Sequence, residues 1–325
     1  MYRFIATNIF APALDLARGT RTMKCLDELN KSQWWPADRI TELQNQRLRA
    51  LVNYAYENVP YYRRILDGLS LKPDDIETIA DLAKLPLLNK AIIRENSAGL
   101  LSKNYPASRR LTMHTGGSTG EPLTFFRTRE DQQDWGFAAG ERSFQWAGYS
   151  LGDKRALINV IRPYSSRTDM LYQKTRDFFK RTIQLDAKKL AAQTLPEYVK
   201  KLHKFQPRFI QGYPAALEMV AHFIQEKPEY EVKPGAIVCG GEQLYGYQRE
   251  LFGRVFKCGV FRYYSSWELH SIASECKEHS GLHISAENVI VEVVDENGKP
   301  VDNGNRGKIL ITSLHNFAMP FIRYE

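Results

Sequence analysis

The sequence predicts an α/β protein, with mixed sheets joined by crossover helices and a helical region at its N-terminus. Three observations predict this. Up to about residue 107 the apolar side chains recur at helical spacing. From residue 108 short apolar runs alternate with helical ones, the pattern of strands connected by crossovers. The C-terminal stretch then reads as strands paired directly to each other. The expected division is therefore 1–107, helical, and 108–325, an α/β region.

The elements follow in order. "MYRFIATNIFAPALDLARG" predicts an amphipathic helix too short to span a bilayer, and loose membrane contact is its lesser reading. In "PADRITELQNQRLRALVNYAYENVPYYRR", Ile40, Leu43, Leu51, Ala55 and Tyr56 mark a helix that Pro60 ends. Pro86 separates two short helical pieces in "DLAKLPLLNKAIIREN". "RRLTMHT" and "PLTFFR" alternate like strands, and Thr128 is the expected N-cap of the helix after them. Strands are then expected at "RALINVI", "RFIQG", "GAIVCGG" and "GVFRYY". Helices lie between them, one opened by a capping box of Thr194 and Glu197. "NVIVEVVDENGKPVDNGNRGKILITS" predicts two strands joined by a hairpin around Asn297-Gly298.

Hydrophobic residues make up 43% and charged residues 25%, as in an ordinary globular protein. The formal charge of +8 favours an anionic partner. The basic residues are dispersed, which argues against a nucleic-acid module. Their densest cluster, Lys174, Arg176, Lys180 and Arg181, reads as a solvated helix face. Four scattered cysteines do not make a disulfide framework and suit a reducing, cytoplasmic compartment. No transmembrane segment is expected.

Three short stretches carry chemistry. In "HTGGSTGEPLTFFRT", Gly116, Gly117 and Gly120 allow close backbone approach, and Thr115, Ser118 and Thr119 offer hydroxyls. The stretch formally matches a nucleophile elbow, but the extended residues after Pro122 leave no helix for one. A phosphate-binding loop is favoured over a plain turn. "CGGEQL" puts Gly240-Gly241 after a buried strand, where α/β proteins bind ligands, though by itself a tight connection explains it better. "YYSSWELHSIASEC" joins Tyr264 to a carboxylate, Glu268, four positions on; a platform for a flat base with a Mg²⁺ ligand near phosphates, and a Tyr–Trp core pair plus a surface glutamate, fit it equally well.

Taken in order, the Thr/Ser/Gly loop, Gly-Gly-Glu, Tyr-x-x-x-Glu and "PFIRYE" resemble the adenylate-forming ligases. The branch is that of phenylacetate–CoA ligase and the capsule-biosynthesis ligases, and "LVNYAYENVPYYRRILDG", "IQGYPAAL" and "SECKEHSGLHISAENVIVEVVD" are similar to it too. The resemblance covers essentially the whole chain. It implies the large N-terminal portion of that fold, without the small C-terminal domain that bears a catalytic lysine. It implies that a small carboxylic acid reacts with Mg·ATP to an acyl-adenylate, from which CoA, or an amine or hydroxyl acceptor, displaces AMP. A catalytically silent nucleotide-binding homologue is the reading from another class.

By the same resemblance Thr115 to Gly120 hold the β- and γ-phosphates. Gly240, Gly241 and Glu242 border the adenine, Tyr264 stacks on it with Ser265 beside it, and Glu268 binds Mg²⁺. Trp135, Phe137, Tyr164, Tyr213, Pro214 and Trp267 are the candidate acyl-pocket residues, and Arg162 is a candidate partner for a substrate carboxylate, with a surface role favoured. Two departures stand out. Trp267 occupies the place where the family carries a hydroxyl before the glutamate. The Thr-Gly-Asp segment expected beyond "RYE" is not among these residues. These 325 residues alone are therefore expected to bind nucleotide weakly and to adenylate slowly. Cys276, His279 and His283 have a loosely zinc-like spacing to which Cys239 or Cys258 would add a thiolate, but inert cysteines are the better reading. The oligomeric state is left open, a dimer included.

Overall fold

The computed structural model describes residues 1–115, 122–161 and 166–325. The chain opens with Tyr2–Ile5 (α1), a wider π turn over Ala6–Phe10, and Ala11–Arg18 (α2), which Gly19 closes with φ 63°. Thr22–Ser32 (α3), Ala37–Asn58 (α4), Pro60–Gly68 (α5), Lys90–Glu95 (α6) and Ser97–Leu100 (α7) follow. Pro60 stops α4 and also begins α5, because a first helical residue has no use for its N–H.

Arg110–His114 (β1) and Thr124–Thr128 (β2) form an antiparallel pair. A π-helical stretch, Glu130–Gly136, leads into Phe137–Trp146 (α8). Thr128 Oγ1 accepts the Asp131 N–H at 2.9 Å, as a capping residue does. Next come Arg155–Asn159 (β3), Arg167–Phe179 (α9), Thr182–Asp186 (β4), Leu195–Phe205 (α10), Phe209–Gly212 (β5) and Pro214–Glu226 (α11). Ala236–Gly240 (β6), Gly246–Phe256 (α12), Gly259–Ser266 (β7), His270–Ser274 (β8), His283–Ile284 (β9), Val289–Val294 (β10) and Lys308–Ser313 (β11) complete the chain.

The capping box expected of Thr194 and Glu197 does not form. Thr194 is already near-helical, at φ −96° and ψ −18°, and its hydroxyl bonds Lys189 O at 2.6 Å. Glu197 instead pairs with Lys201 one turn on, at 2.7 Å.

The chain forms two compact units, each assembled from segments distant in sequence. One unit comprises Met1–Gly19, Glu141–Ser265 and Ala273–His283; the other comprises Thr20–Gly140, Ser266–Ile272 and Ile284–Glu325. Burial explains the grouping. Ala6 lies against Gly152 and Phe10 against Phe179, so the first helical segment belongs with the sheet that follows much later. The remaining N-terminal helices cover C-terminal strands instead.

In the first unit five parallel strands run in the order β4-β3-β5-β6-β7. Ala156, Ile158, Ile210, Ile237 and Val260 of the sheet bury against Val199, Leu202, Leu217, Val220, Phe252 and Phe256 of α10, α11 and α12. The strand order reverses beside β3, so the carboxyl ends of β3 and β5 flank a switch point.

In the second unit β10 and β11 pair antiparallel from Val289↔Ser313 to Val294↔Lys308. The buried Leu48, Leu51, Val52 and Ala55 supply the apolar face of α4, and Gln44 Nε2 donates to Val289 O at 2.9 Å. Tyr62 of α5 donates to Pro320 O at 2.8 Å. The turn at Asn297-Gly298 forms, with Gly298 at φ 75° and its N–H on Asp295 O. It does not lead directly into β11: Val301 N–H returns to Val293 O, and a second turn at Asp302–Asn305 intervenes.

Candidate active site

In the first unit three adjacent parallel strands deliver sequence-predicted residues to one end of the sheet. Gly212 ends β5 and is followed by Tyr213 and Pro214; Gly240 ends β6 and is followed by Gly241 and Glu242; Tyr264 and Ser265 lie near the end of β7. The register sets Gly212 beside Cys239 and Gly240 beside Tyr263. A polar, glycine-lined edge at the carboxyl ends of parallel strands is where such sheets take ligands.

Local sterics account for the glycines. Gly241 has φ +79°, and a Cβ there would stand 2.4 Å from Cε1 of Tyr213. A Cβ on Gly240 would meet Tyr263 O at 3.0 Å. Gly241 therefore excludes larger residues, a Cβ at Gly240 would be tight, and the Tyr213 ring lies against Gly241. The side chain of Glu242 accepts the Ala215 N–H at 3.2 Å, in the first turn of α11, where backbone donors lack intrahelical partners. Tyr264 is exposed at the end of β7.

The second unit holds the other candidates. Thr115 N–H donates to Leu123 O at 3.0 Å and its Oγ1 accepts Leu123 N–H at 2.8 Å, pinching the mouth of the β1–β2 hairpin. Gly116, Gly117, Ser118, Thr119 and Gly120, with Arg162 and Tyr164, lie outside the described residues. Glu268 is buried, and its Oε1 accepts the Tyr324 hydroxyl at 2.9 Å. Burial and this neighbouring carboxylate push the Tyr324 phenol well above its usual range. Trp267 is exposed, while its carbonyl meets Arg127 Nη1 at 3.4 Å. The buried Arg127 is itself fixed by Asp131 at 2.5 Å.

Trp135 and Phe137 turn to different partners. Trp135 stacks on His315 at 4.4 Å and 7°, with the Arg47 guanidinium 4.5 Å from its ring centre, so protein groups pack on its ring. Phe137 sits edge-on to His270 at 5.3 Å. His270, Tyr324 and Arg127 are neighbours of the candidates that the sequence reading missed. His270 lies two residues after Glu268 with φ 60°, packed so closely on Gly136 that a Cβ there would be 3.0 Å from its ring. Burial, aided by Arg127, lowers its pKa to about 3. Its proximity to Glu268 was the available signal.

The zinc-like set does not assemble. The backbone N–H of Glu278 reaches Cys276 Sγ at 3.5 Å, His279 Nδ1 faces Glu275 at 3.2 Å, and His283 packs on Trp146 at 5.3 Å. Burial pushes the Cys239 and Cys258 thiols up to about 12, away from thiolate. Among the described residues no three His, Cys, Asp or Glu side chains gather to hold a metal ion. The basic cluster also departs from a solvated face: Arg176 pairs with Asp177 at 2.8 Å, Arg181 lies over Tyr2, and burial lowers the Lys180 pKa.

The architecture is that of the adenylate-forming CoA ligases. It superposes on 2-hydroxyisobutyryl-CoA ligase, crystallised in an open conformation with 2-HIB-AMP and CoA, with a TM-score of 0.74 and 21% identity over 89% of this chain and 69% of that one. By sequence the chain is similar to Protein CapK of Staphylococcus aureus, 27% identical over 287 residues, which cover 87% of this chain and 61% of CapK. It is likewise similar to the phenylacetate-coenzyme A ligase of Escherichia coli strain K12, 28% identical over 308 residues, covering 89% of this chain and 66% of that enzyme. The chain thus spans less than two thirds of the length of these two relatives. No family model matches it.

Proposed function

We propose that the chain is the nucleotide- and acyl-binding part of a ligase that activates a carboxylic acid as an acyl-adenylate and transfers the acyl group to the CoA thiol. The observation that supports this most is the convergence of Tyr213, Gly240-Gly241-Glu242 and Tyr264 at the ends of β5, β6 and β7. In this reading Tyr264 stacks on adenine, with Ser265 beside it, and the two glycines let the base approach the backbone. Thr115, Ser118 and Thr119, with the N–H groups of Gly116, Gly117 and Gly120, hold the β- and γ-phosphates. Trp135, Phe137, Tyr164, Tyr213, Pro214 and Trp267 stand as the candidates for binding the acyl group.

Glu268 is the residue that would hold Mg²⁺. Its buried carboxylate, fixed through Oε1 by Tyr324, is a hard oxygen donor of the right kind. The ion, when bound, neutralises charge on the phosphates. The chain's own contribution is position: a carboxylate oxygen is held against the α-phosphorus, pyrophosphate leaves, and AMP then leaves as the thiolate sulfur takes the acyl carbon.

The similarity to Protein CapK favours one second reading, an amide- or ester-forming ligase of surface-polysaccharide synthesis with a sugar amine or hydroxyl as acceptor. Binding of a sulfamoyl-adenosine mimic of an acyl-adenylate tests the site. The chain should bind it, and Gly241→Val should abolish binding; failure of the parent chain to bind would refute the nucleotide reading. ATP–pyrophosphate exchange across a panel of acids then distinguishes an enzyme from a silent homologue. Hydroxylamine trapping followed by CoA or amine addition distinguishes the two acceptors.

A further inference from the structure

We propose that the face formed by α1, the π turn, α2 and α9 docks the protein on an anionic lipid bilayer. This does not rest on the ligase reading. The N-terminal helical segment is apolar on two sides. One side is used within the unit: Ala6 is buried, Phe10 lies 4.4 Å from Phe179, and Tyr2 donates to Phe179 O at 2.6 Å. The other side carries Phe4, Ile9 and Leu16, which are 68%, 54% and 86% exposed. A wider π turn between Phe4 and Ile9 accommodates their five-residue spacing on one side.

The neighbouring helix repeats the pattern. Leu171 and Phe178 of α9 are seven residues apart, hence on one face, and are 66% and 75% exposed. Arg181 lies over the Tyr2 ring at 4.9 Å and Arg18 over the Tyr172 ring at 5.2 Å. These two contacts set the helices side by side in opposite senses.

Helices that are apolar on both sides are ordinarily buried, and a cluster of large exposed apolar side chains marks an interaction surface. The charges identify the partner. Lys174 stands on the exposed face of α9 between Leu171 and Phe178, Arg167 is exposed at its start, and Arg18 and Arg181 lie where the helices meet. The acidic groups of these helices are Asp15, Asp169 and Asp177, of which Asp177 is engaged by Arg176. A second copy of the chain on this face would oppose its own lysines and arginines. Anionic headgroups above acyl chains answer both features at once. Among the described residues no helix is long and apolar enough to cross a membrane, so the contact is interfacial.

Co-sedimentation with large vesicles tests this on the 325-residue chain. Vesicles of mixed phosphatidylglycerol and phosphatidylcholine should carry the protein down, pure phosphatidylcholine vesicles should carry far less, and high salt should release it. The pair Leu171→Ser and Phe178→Ser should weaken binding by about tenfold or more. Lys174→Glu should weaken it without removing apolar surface. These side chains are exposed, so unchanged circular dichroism and melting are expected and would exclude misfolding. Absence of binding to the phosphatidylglycerol vesicles would overturn the proposal. So would a dimer in light scattering that the double substitution converts to monomer, since a second copy would then cover the face.

Discussion

Tyr324 donates its hydroxyl hydrogen to Glu268 Oε1 at 2.9 Å, joining residues 56 positions apart in the chain. Both are buried, so the bond fixes the orientation of the one carboxylate proposed to meet the metal ion. Tyr324→Phe removes the donor and leaves Glu268 with a lost partner in a buried setting. A stability loss of about 1–3 kcal/mol is expected, read by urea unfolding. The Mg²⁺ concentration needed for half-maximal pyrophosphate exchange should rise, whereas a purely structural bond would leave it unmoved.

Gly241 faces two separable constraints, a φ of +79° and the Tyr213 ring. Gly241→Ala should destabilise by about 2 kcal/mol or more. Adding Tyr213→Ala should remove the clash and return part of that loss, leaving the backbone cost of about 1 kcal/mol. A double-mutant cycle by denaturant unfolding measures the coupling, and strict additivity would show that the ring is not what excludes the Cβ.

Arg323 is buried and bonded three ways: to Glu292 at 3.2 Å, Leu85 O at 2.6 Å and Gly298 O at 2.7 Å. Arg323→Met should cost about 3–5 kcal/mol, because Glu292 is left as an unpaired buried charge. Burial raises the Glu292 pKa and Arg323 opposes that rise, so the variant raises it further. An acid with a raised folded pKa contributes most at low pH and loses stability as pH rises through that value. The deficit against the parent should therefore shrink on acidification toward about pH 5, as measured by unfolding at several pH values.

His315 has the opposite sign. Burial and then Arg47 hold its pKa well below the usual value, so it folds neutral against Trp135. Its contribution is complete above about pH 6.5 and is lost as pH falls below the unfolded value. His315→Phe keeps a ring on Trp135 but cannot take a proton. Its unfolding free energy should fall less steeply with acid than the parent's, by about 1.4 kcal/mol per pH unit below pH 6. Parallel profiles would mean that His315 is already protonated in the folded state.

The first unit was largely legible. "RALINVI", "RFIQG" and "GAIVCGG" are buried on both sides, and such strands announce themselves as continuous apolar runs. The reason for Gly241 was legible only in outline. That a glycine was needed followed from its place after a strand, but that Tyr213 enforces it is a contact across two strands. The sequence marks Trp135 as pocket lining, and nothing in its neighbourhood in sequence reveals Arg47 and His315 packed on its ring. Thr194 failed as a capping box because the pattern specifies residue types and not the entry dihedrals.

By itself the sequence determined the alternation of strands and helices, the glycine-rich turns and the order of the motifs. Each of these depends on local periodicity or on a backbone conformation that few residues tolerate. Only the tertiary structure decided that residues 1–19 pack with the later sheet and that Tyr324 meets Glu268. It also decided that Cys276, His279 and His283 turn to separate partners. The physical reason is the same in each case. Burial and pairing depend on which distant segments come to share a surface, and that information is distributed over the whole chain.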